Sequence, residues 1–158
     1  MKNIYTMDYF IKLCKKNGLK VTPQRSLIFT ELVNSKDHPS AEVLYKKVKK
    51  VFPAISFDTV YRTLLTFSKI GLADILTIPG EPKRFDGNID KHHHFKCIKC
   101  ERIIDVYDNS HKVDIPKSIS EKFSVLGYKI IFEGLCDKCK ENKEESKAGK
   151  KIKKRRTK

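Results

Sequence analysis

The chain has 158 residues, a formal net charge of +15 and a 39% hydrophobic content. That length fits one domain or two small ones with a buried core, and no apolar run approaches the ~18 residues of a membrane-spanning helix. The opening Met1-Lys2-Asn3-Ile4-Tyr5 has neither a long apolar stretch nor a small-residue cleavage pattern, so no signal peptide is expected and the default location is the cytosol. The charge is uneven. Residues 140–158 carry ten Lys/Arg against three Glu, and the rest of the chain is still basic. Such a balance favours a polyanionic partner, usually nucleic acid.

In chain order, Tyr9, Phe10, Leu13 and Cys14 recur at helical spacing, with Gly18 as a stop. Cys14 sits on that stripe and reads as a packed core thiol. Thr22-Pro23 is an N-cap followed by proline at the first helical position, opening a helix to about Val33 with Leu27, Ile28 and Leu32 inward. Ser40 caps a third helix with Ala41, Leu44, Val48 and Val51 on one side, and Pro53 ends it. Ser56 caps a fourth, with Asp58 in the first turn where the helix dipole favours an anion. Phe57, Val60, Leu64 and Phe67 form its apolar stripe, and Gly71 ends it. Its other side shows Thr59, Arg62, Thr63, Thr66 and Lys69. Two extended stretches, Leu72–Ile78 and Pro82–Asp86, flank Pro79-Gly80, which suits the centre of a type II turn. Three helices, a polar-faced fourth and a hairpin make a winged helix-turn-helix.

The second half changes character. His92–Cys97 and Arg102–Tyr107 read as short strands around a cysteine knuckle, Ile119–Phe123 as helical, and Tyr128–Leu135 as a strand leading to a second cysteine pair. The overall class is α+β: a winged helix-turn-helix domain over residues 1–86 with a short hinge to 90, a small α/β dimerisation domain over 91–140, and a basic disordered tail over 141–158. A lobe of about 50 residues needs a metal or a partner chain to be stable.

Four of the five cysteines form two pairs, Cys97-x-x-Cys100 and Cys136-x-x-Cys139. In a reducing compartment such pairs bind metal more often than they form disulfides. Four thiolates match a tetrahedral structural Zn(II) site, here clipping a late strand to an early hairpin. Binding then contributes directly to folding the lobe.

On a strand, residues two apart share a face, so His92 and His94 project together, while His93 points away and Cys97 lies opposite. His93 and His111 read as exposed. Asp105 lies on the adjoining strand and Asp86 ends the wing. His38 stands at the positive end of the third helix, where the field keeps its ring neutral, as a ligand must be. The set His38, Asp86, His92, His94 and Asp105 offers three nitrogens and two carboxylates, which suits Fe(II), Mn(II) or Zn(II) and is poor for Mg(II) or Ca(II). On the fourth helix Arg62 can read guanine or grip phosphate, Thr59, Thr63 and Thr66 can touch phosphate or thymine methyls, and Tyr61 borders them. Lys83 and Arg84 of the wing are phosphate-positioning residues. No nucleophile or general base sits beside His92-x-His94, which argues against a metallohydrolase, and no enzymatic role is expected. An RNA-binding zinc protein is a further alternative, distinguished by competition between duplex DNA and single-stranded RNA.

Together, Thr22-Pro23-Gln24-Arg25, His38-Pro39-Ser40-Ala41, Ser56-x-x-Thr59-Val60-Tyr61-Arg62, Arg84-Phe85-Asp86, His92-x-His94 and the two cysteine pairs resemble the ferric uptake regulator family over roughly residues 8–140. The resemblance implies a homodimeric repressor with one winged helix on each half-site of an inverted-repeat DNA operator. Within the family it points to the peroxide-sensing branch. There iron is held by residues matching His38, Asp86, His92, His94 and Asp105, and oxidation of His38 or His92 releases DNA. Iron-uptake members usually carry glutamate at the position of Asp105. They often place further histidines where Lys91 and Tyr128 stand here. The alternative within the family is a repressor of iron or zinc availability that responds to reversible metal occupancy. The basic tail departs from the family pattern.

Overall fold

The structure is a computed structural model that describes residues 6–107 and 113–141. His111 and the expected tail lie outside the described residues, except for Glu141. The chain divides into two compact units that meet in sequence between Asp90 and Lys91.

The first unit begins with four helices: α1 (Met7–Lys16), α2 (Pro23–Val33), α3 (Ala41–Lys49) and α4 (Phe57–Lys69). Each starts where a hydroxyl side chain accepts an amide three residues on. Thr6 accepts from Tyr9, Thr22 from Arg25, Ser40 from Val43 and Ser56 from Thr59. These bonds satisfy donors that a helix start otherwise leaves orphaned. The core joins Phe10, Phe29 and Phe67, with Phe10 stacked on Phe29 and edge-on to Phe67. Around them lie Ile28, Leu32, Leu44, Val48, Val60 and Leu64. Two residues expected inward are not. Val51 is exposed because α3 ends at Lys49, so the helical period no longer applies to it. Phe57 is exposed because it is the first residue of α4; there it stacks on Tyr61 and meets Tyr45 edge-on instead of entering the core.

The wing is an antiparallel pair, β1 (Asp74–Leu76) and β2 (Arg84–Asp86). The Glu81 amide donates to the Ile78 carbonyl at 3.1 Å and Gly80 has φ +79°, which together describe the expected type II turn. The wing is sewn to the start of α3. Ser40 bridges to Arg84, and the Phe85 amide donates to the Pro39 carbonyl at 3.0 Å.

The second unit holds a three-stranded sheet in the order β4-β3-β5. Strand β3 (His93–Cys97) pairs antiparallel with β4 (Ile103–Val106) and parallel with β5 (Ile131–Gly134). Between β4 and β5 the described chain holds one short helix, α5 (Lys117–Ser120), shorter than the Ile119–Phe123 helix expected from sequence. A helical turn follows from residue 137. Because β5 runs parallel to β3, both strands deliver their C-terminal ends, and the two cysteine pairs, to the same edge of the unit.

Candidate metal centres and nucleic-acid face

The knuckle between β3 and β4 is closed by main-chain bonds. The Glu101 amide donates to the Cys97 carbonyl at 2.8 Å, and the Cys97 amide to the Arg102 carbonyl at 2.9 Å. Glu101 has φ +59°, a left-handed conformation that favours glycine. Beyond β5, the Cys136 amide donates to Cys97 Sγ at 3.3 Å. One sulfur from each of Cys97, Cys100, Cys136 and Cys139 lies within 4.8 Å of the others, and Cys100 Sγ and Cys136 Sγ are 3.7 Å apart. Two ligands at about 2.3 Å from a tetrahedral zinc stand about 3.8 Å apart. All four thiols are free, so the donor set fits Zn(II) in number, type and spacing.

The electrostatics of the cluster suit a dication. The backbone amides of Cys136, then Cys100, hold the Cys97 thiol down at about 6. Burial, then the neighbouring cysteines, push Cys139 up to about 12. The backbone amide of Cys139 lowers Cys136 as well. The cluster thus favours thiolates at Cys97 and Cys136 and resists one at Cys139, and a bound dication relieves that resistance. Arg102 adds a permanent cation. Its Nη2 lies 2.6 Å from Asp137 Oδ1, and Cys136, then Asp137, hold the guanidinium in its charged form. Its role was not read from sequence, because Asp137 is remote along the chain.

The helical unit contributes His38 and Asp86. Both are nearly fully buried, and His38 Nε2 lies 3.5 Å from Asp86 Oδ2. The other carboxylate oxygen accepts the Asn88 amide at 2.8 Å. His38 has φ +46°, a conformation that histidine tolerates better than most residues but that still costs free energy.

The sheet unit contributes His92, His94 and Asp105. His94 pairs directly with Asp105 across β3 and β4. His92 Nε2 is 3.0 Å from His94 Nε2 and 3.7 Å from Asp105 Oδ1. Ligands at about 2.1 Å from one ion, set at right angles, stand about 3.0 Å apart. Two imidazoles and a carboxylate converging in this way fit a mid-transition divalent ion. Tyr107, not singled out from sequence, donates to Asp105 Oδ2 at 3.0 Å. Its spacing of two from Asp105 is the signal that places both on one strand face.

His93 corrects an expectation. It points away from His92 and His94 but is buried, 3% exposed, with its ring stacked on Tyr128. The cover on that face comes from Tyr128, whose ring centroid stands 6.0 Å from that of His93. Lys91 Nζ caps the Tyr128 ring from 5.4 Å.

On α4, Thr59 and Arg62 are exposed, and Tyr61 and Thr66 are half-buried. Arg62 Nε lies 2.9 Å from Asp58 Oδ2, one turn earlier. Thr66 Oγ1 donates to the Arg62 carbonyl at 2.8 Å. Thr63 differs from its neighbours: it is 7% exposed and packs inward between Val60 and Phe67. It cannot present its hydroxyl to DNA from there. Lys83 is exposed and Arg84 half-buried on the wing.

Comparison with known proteins agrees with this architecture. The profile of the Ferric uptake regulator family matches residues 16–133. The chain belongs to that family. A peroxide-responsive repressor of Staphylococcus epidermidis is 33% identical over 138 residues, covering 87% of this chain and 92% of the relative. Among solved structures, the ferric uptake regulator of Vibrio cholerae matches with a TM-score of 0.60 and 28% identity, over 79% of this chain and 98% of that one. A peroxide stress regulator of Campylobacter jejuni gives 0.58 and 26%, over 82% and 98%. The chain is accordingly a metal-dependent transcriptional repressor of the ferric uptake regulator family, a class of dimeric DNA-binding regulators. Its α+β fold is a winged helix followed by a small α/β unit with a four-cysteine zinc site. Among the described residues, no helix is long and apolar enough to cross a membrane.

Proposed function

We propose that this repressor grips an inverted-repeat operator only while one regulatory divalent ion is held by His38 and Asp86 of the helical unit together with His92, His94 and Asp105 of the sheet unit, and that its signal is peroxide. Neither unit offers a full ligand set alone: the first supplies one nitrogen and one carboxylate, the second two nitrogens and one carboxylate. An ion that needs both therefore couples the DNA-reading helix to the dimerising unit. To switch DNA binding decisively, its preference for the DNA-competent arrangement must reach ~5.5 kcal/mol. In that arrangement the two α4 helices of a dimer stand one helical turn of DNA apart, ~34 Å. Arg62, Thr59, Tyr61 and Thr66 then meet the major groove, and Lys83 and Arg84 meet phosphates.

His38 and Asp86 hold the helical unit in register with the ion, and His92 and His94 supply its sheet-side nitrogens. When bound, Fe(II) supplies one-electron chemistry with peroxide that Mn(II) does not. Cleavage of the peroxide O–O bond would place one oxygen on a ring carbon of His38 or His92 and release the other as water; the altered ring would no longer offer its nitrogen donor, and the coupling between units would be lost.

The observation that carries the peroxide reading is the aspartate at position 105, whose carboxylate stands 3.7 Å from His92 Nε2. Its short side chain supports a five-ligand set with one position left for peroxide. The test loads the zinc-replete protein with Fe(II) or Mn(II), adds peroxide, and follows operator binding alongside the masses of the His38 and His92 peptides. Dissociation of the Fe(II) form with a 16 Da gain on one histidine is expected, with the Mn(II) form unaffected. Dissociation with both masses unchanged rejects the reading.

The similarity to the Vibrio cholerae ferric uptake regulator favours a second reading, a repressor of iron or zinc availability. That protein would release DNA on reversible metal loss in both metal forms and regain it on reloading.

A further inference from the structure

Tyr107 is the next residue after Asp105 on the same face of the extended chain, and it touches two of the sheet unit's three ligand candidates. Its hydroxyl donates to Asp105 Oδ2 at 3.0 Å. The opposite oxygen of that carboxylate, Oδ1, is the one turned toward His92 Nε2, at 3.7 Å. The phenol ring itself lies against the His92 ring, with centroids 5.6 Å apart and planes inclined by 31°. Tyr107 is 53% exposed, so core packing does not dictate this position.

We propose that Tyr107 is a positioning residue for the regulatory metal: its hydroxyl occupies one oxygen of Asp105 and fixes the carboxylate as a one-oxygen ligand, while its ring orients His92. The inference rests on reading His92, His94 and Asp105 as ligands. A carboxylate can bind an ion through one oxygen or two, and the choice sets how many positions the ion has left. A phenol donor on Oδ2 satisfies that oxygen and makes rotation into a two-oxygen mode cost a hydrogen bond. Partners of this kind, bonded to a ligand but not to the ion, typically change metal affinity by about 10–100-fold. Solvent competes for a half-exposed phenol, so the lower end applies. Tyr107 would then keep a coordination position open on the ion, which is the property a peroxide sensor needs.

The test uses the full-length, zinc-replete protein and Tyr107→Phe, which keeps the ring against His92 and removes only the hydroxyl. Mn(II) titration should show binding weakened about 10-fold, with zinc content and the melting temperature of the zinc-only protein unchanged. With Co(II) as a spectroscopic probe, the visible bands should lose intensity in the variant as the freed carboxylate raises the coordination number. Mn(II) affinity within twofold of wild type together with an unchanged Co(II) spectrum overturns the proposal. So does a loss matched by a fall in the zinc-only melting temperature, which marks a packing role. His92→Ala is the control for the underlying reading. If it binds Mn(II) as the wild type does, the ligand assignment itself fails. If it abolishes binding while Tyr107→Phe changes nothing, only the role of Tyr107 fails.

Discussion

The Phe85 amide donates to the Pro39 carbonyl at 3.0 Å, and this bond explains why two ligand candidates 48 positions apart in sequence come together. His38 precedes Pro39, and Asp86 follows Phe85. Their 3.5 Å approach follows from main-chain register and not from side-chain reach, so it should survive metal removal.

Gly87 offers a direct probe of that register. A Cβ added there would stand 2.9 Å from Val33 Cα and 3.2 Å from Leu32 C, both backbone atoms that cannot swing aside. Gly87→Ala should destabilise the helical unit by about 1–3 kcal/mol through overpacking. It should also weaken Mn(II) binding by displacing the adjacent Asp86. Urea denaturation and Mn(II) titration read the two effects, and a variant as stable as wild type would contradict the geometry.

The cysteine cluster makes a prediction about acid. Cys97 is lowered from 9.0 to about 6 by backbone donors, so the folded unit favours its thiolate. That stabilisation is complete above the unfolded value and is lost as pH falls through about 6. Protons then compete with zinc for all four sulfurs. Zinc retention measured against a chelator should weaken as pH falls through neutrality, because Cys139 must shed a proton to bind, and more steeply below about 6, where Cys97 takes one up as well. Cys97→Ser should shift the loss to higher pH and lower the melting temperature of the sheet unit.

Arg62 and Thr63 are neighbours in sequence with opposite orientations. Arg62→Ala should cost about 1–3 kcal/mol of operator affinity and relax preference at one base pair. Lys83→Ala should weaken all sequences alike and flatten the salt slope by about 0.9. Thr63→Val, by contrast, should leave operator affinity unchanged, because the side chain is buried. A fluorescence-anisotropy salt series separates the three.

His93 has a buried Nδ1 with no hydrogen-bond partner among the described residues and a ring stacked on Tyr128. His93→Phe keeps the stack and removes the orphaned nitrogen, whose burial costs about 1–3 kcal/mol. The melting temperature should rise or hold, and Mn(II) affinity should not change. A marked loss of Mn(II) binding would make His93 a ligand.

Features decided by short-range chemistry were the legible ones. Thr22, Ser40 and Ser56 announce their helices because a capping bond spans three residues, and Pro79-Gly80 announces the turn for the same reason. The pairing of His92 with His94 follows from strand period alone. What depended on tertiary neighbours was missed. Phe29 is buried beside Ile28 because α2 packs on both α1 and α4, so its inward face is wider than one helical stripe. The burial of His93 rests on Tyr128, which leads into β5, and the parallel pairing of β5 with β3 has no local signature. Val51 lies beyond the end of α3, where helical period no longer applies, and Phe57 is the first residue of α4, where it packs on Tyr61 and Tyr45 instead of entering the core. That Asp105 and Tyr107 share a face was within reach, since a spacing of two puts both on one side of an extended chain. The side-chain hydrogen bond itself leaves no trace in sequence.

His38 and Glu101 are the two described non-glycine residues with positive φ, each costing about 1–2 kcal/mol relative to ordinary backbone. Their freedom to change under mutation differs. Glu101 could drift to glycine and shed its cost with no donor lost, leaving the knuckle easier to close. His38 has no such route, since the only substitution that suits its torsion equally well deletes an imidazole. One bend can be relieved by selection for robustness, and the other persists as long as selection keeps the sensor.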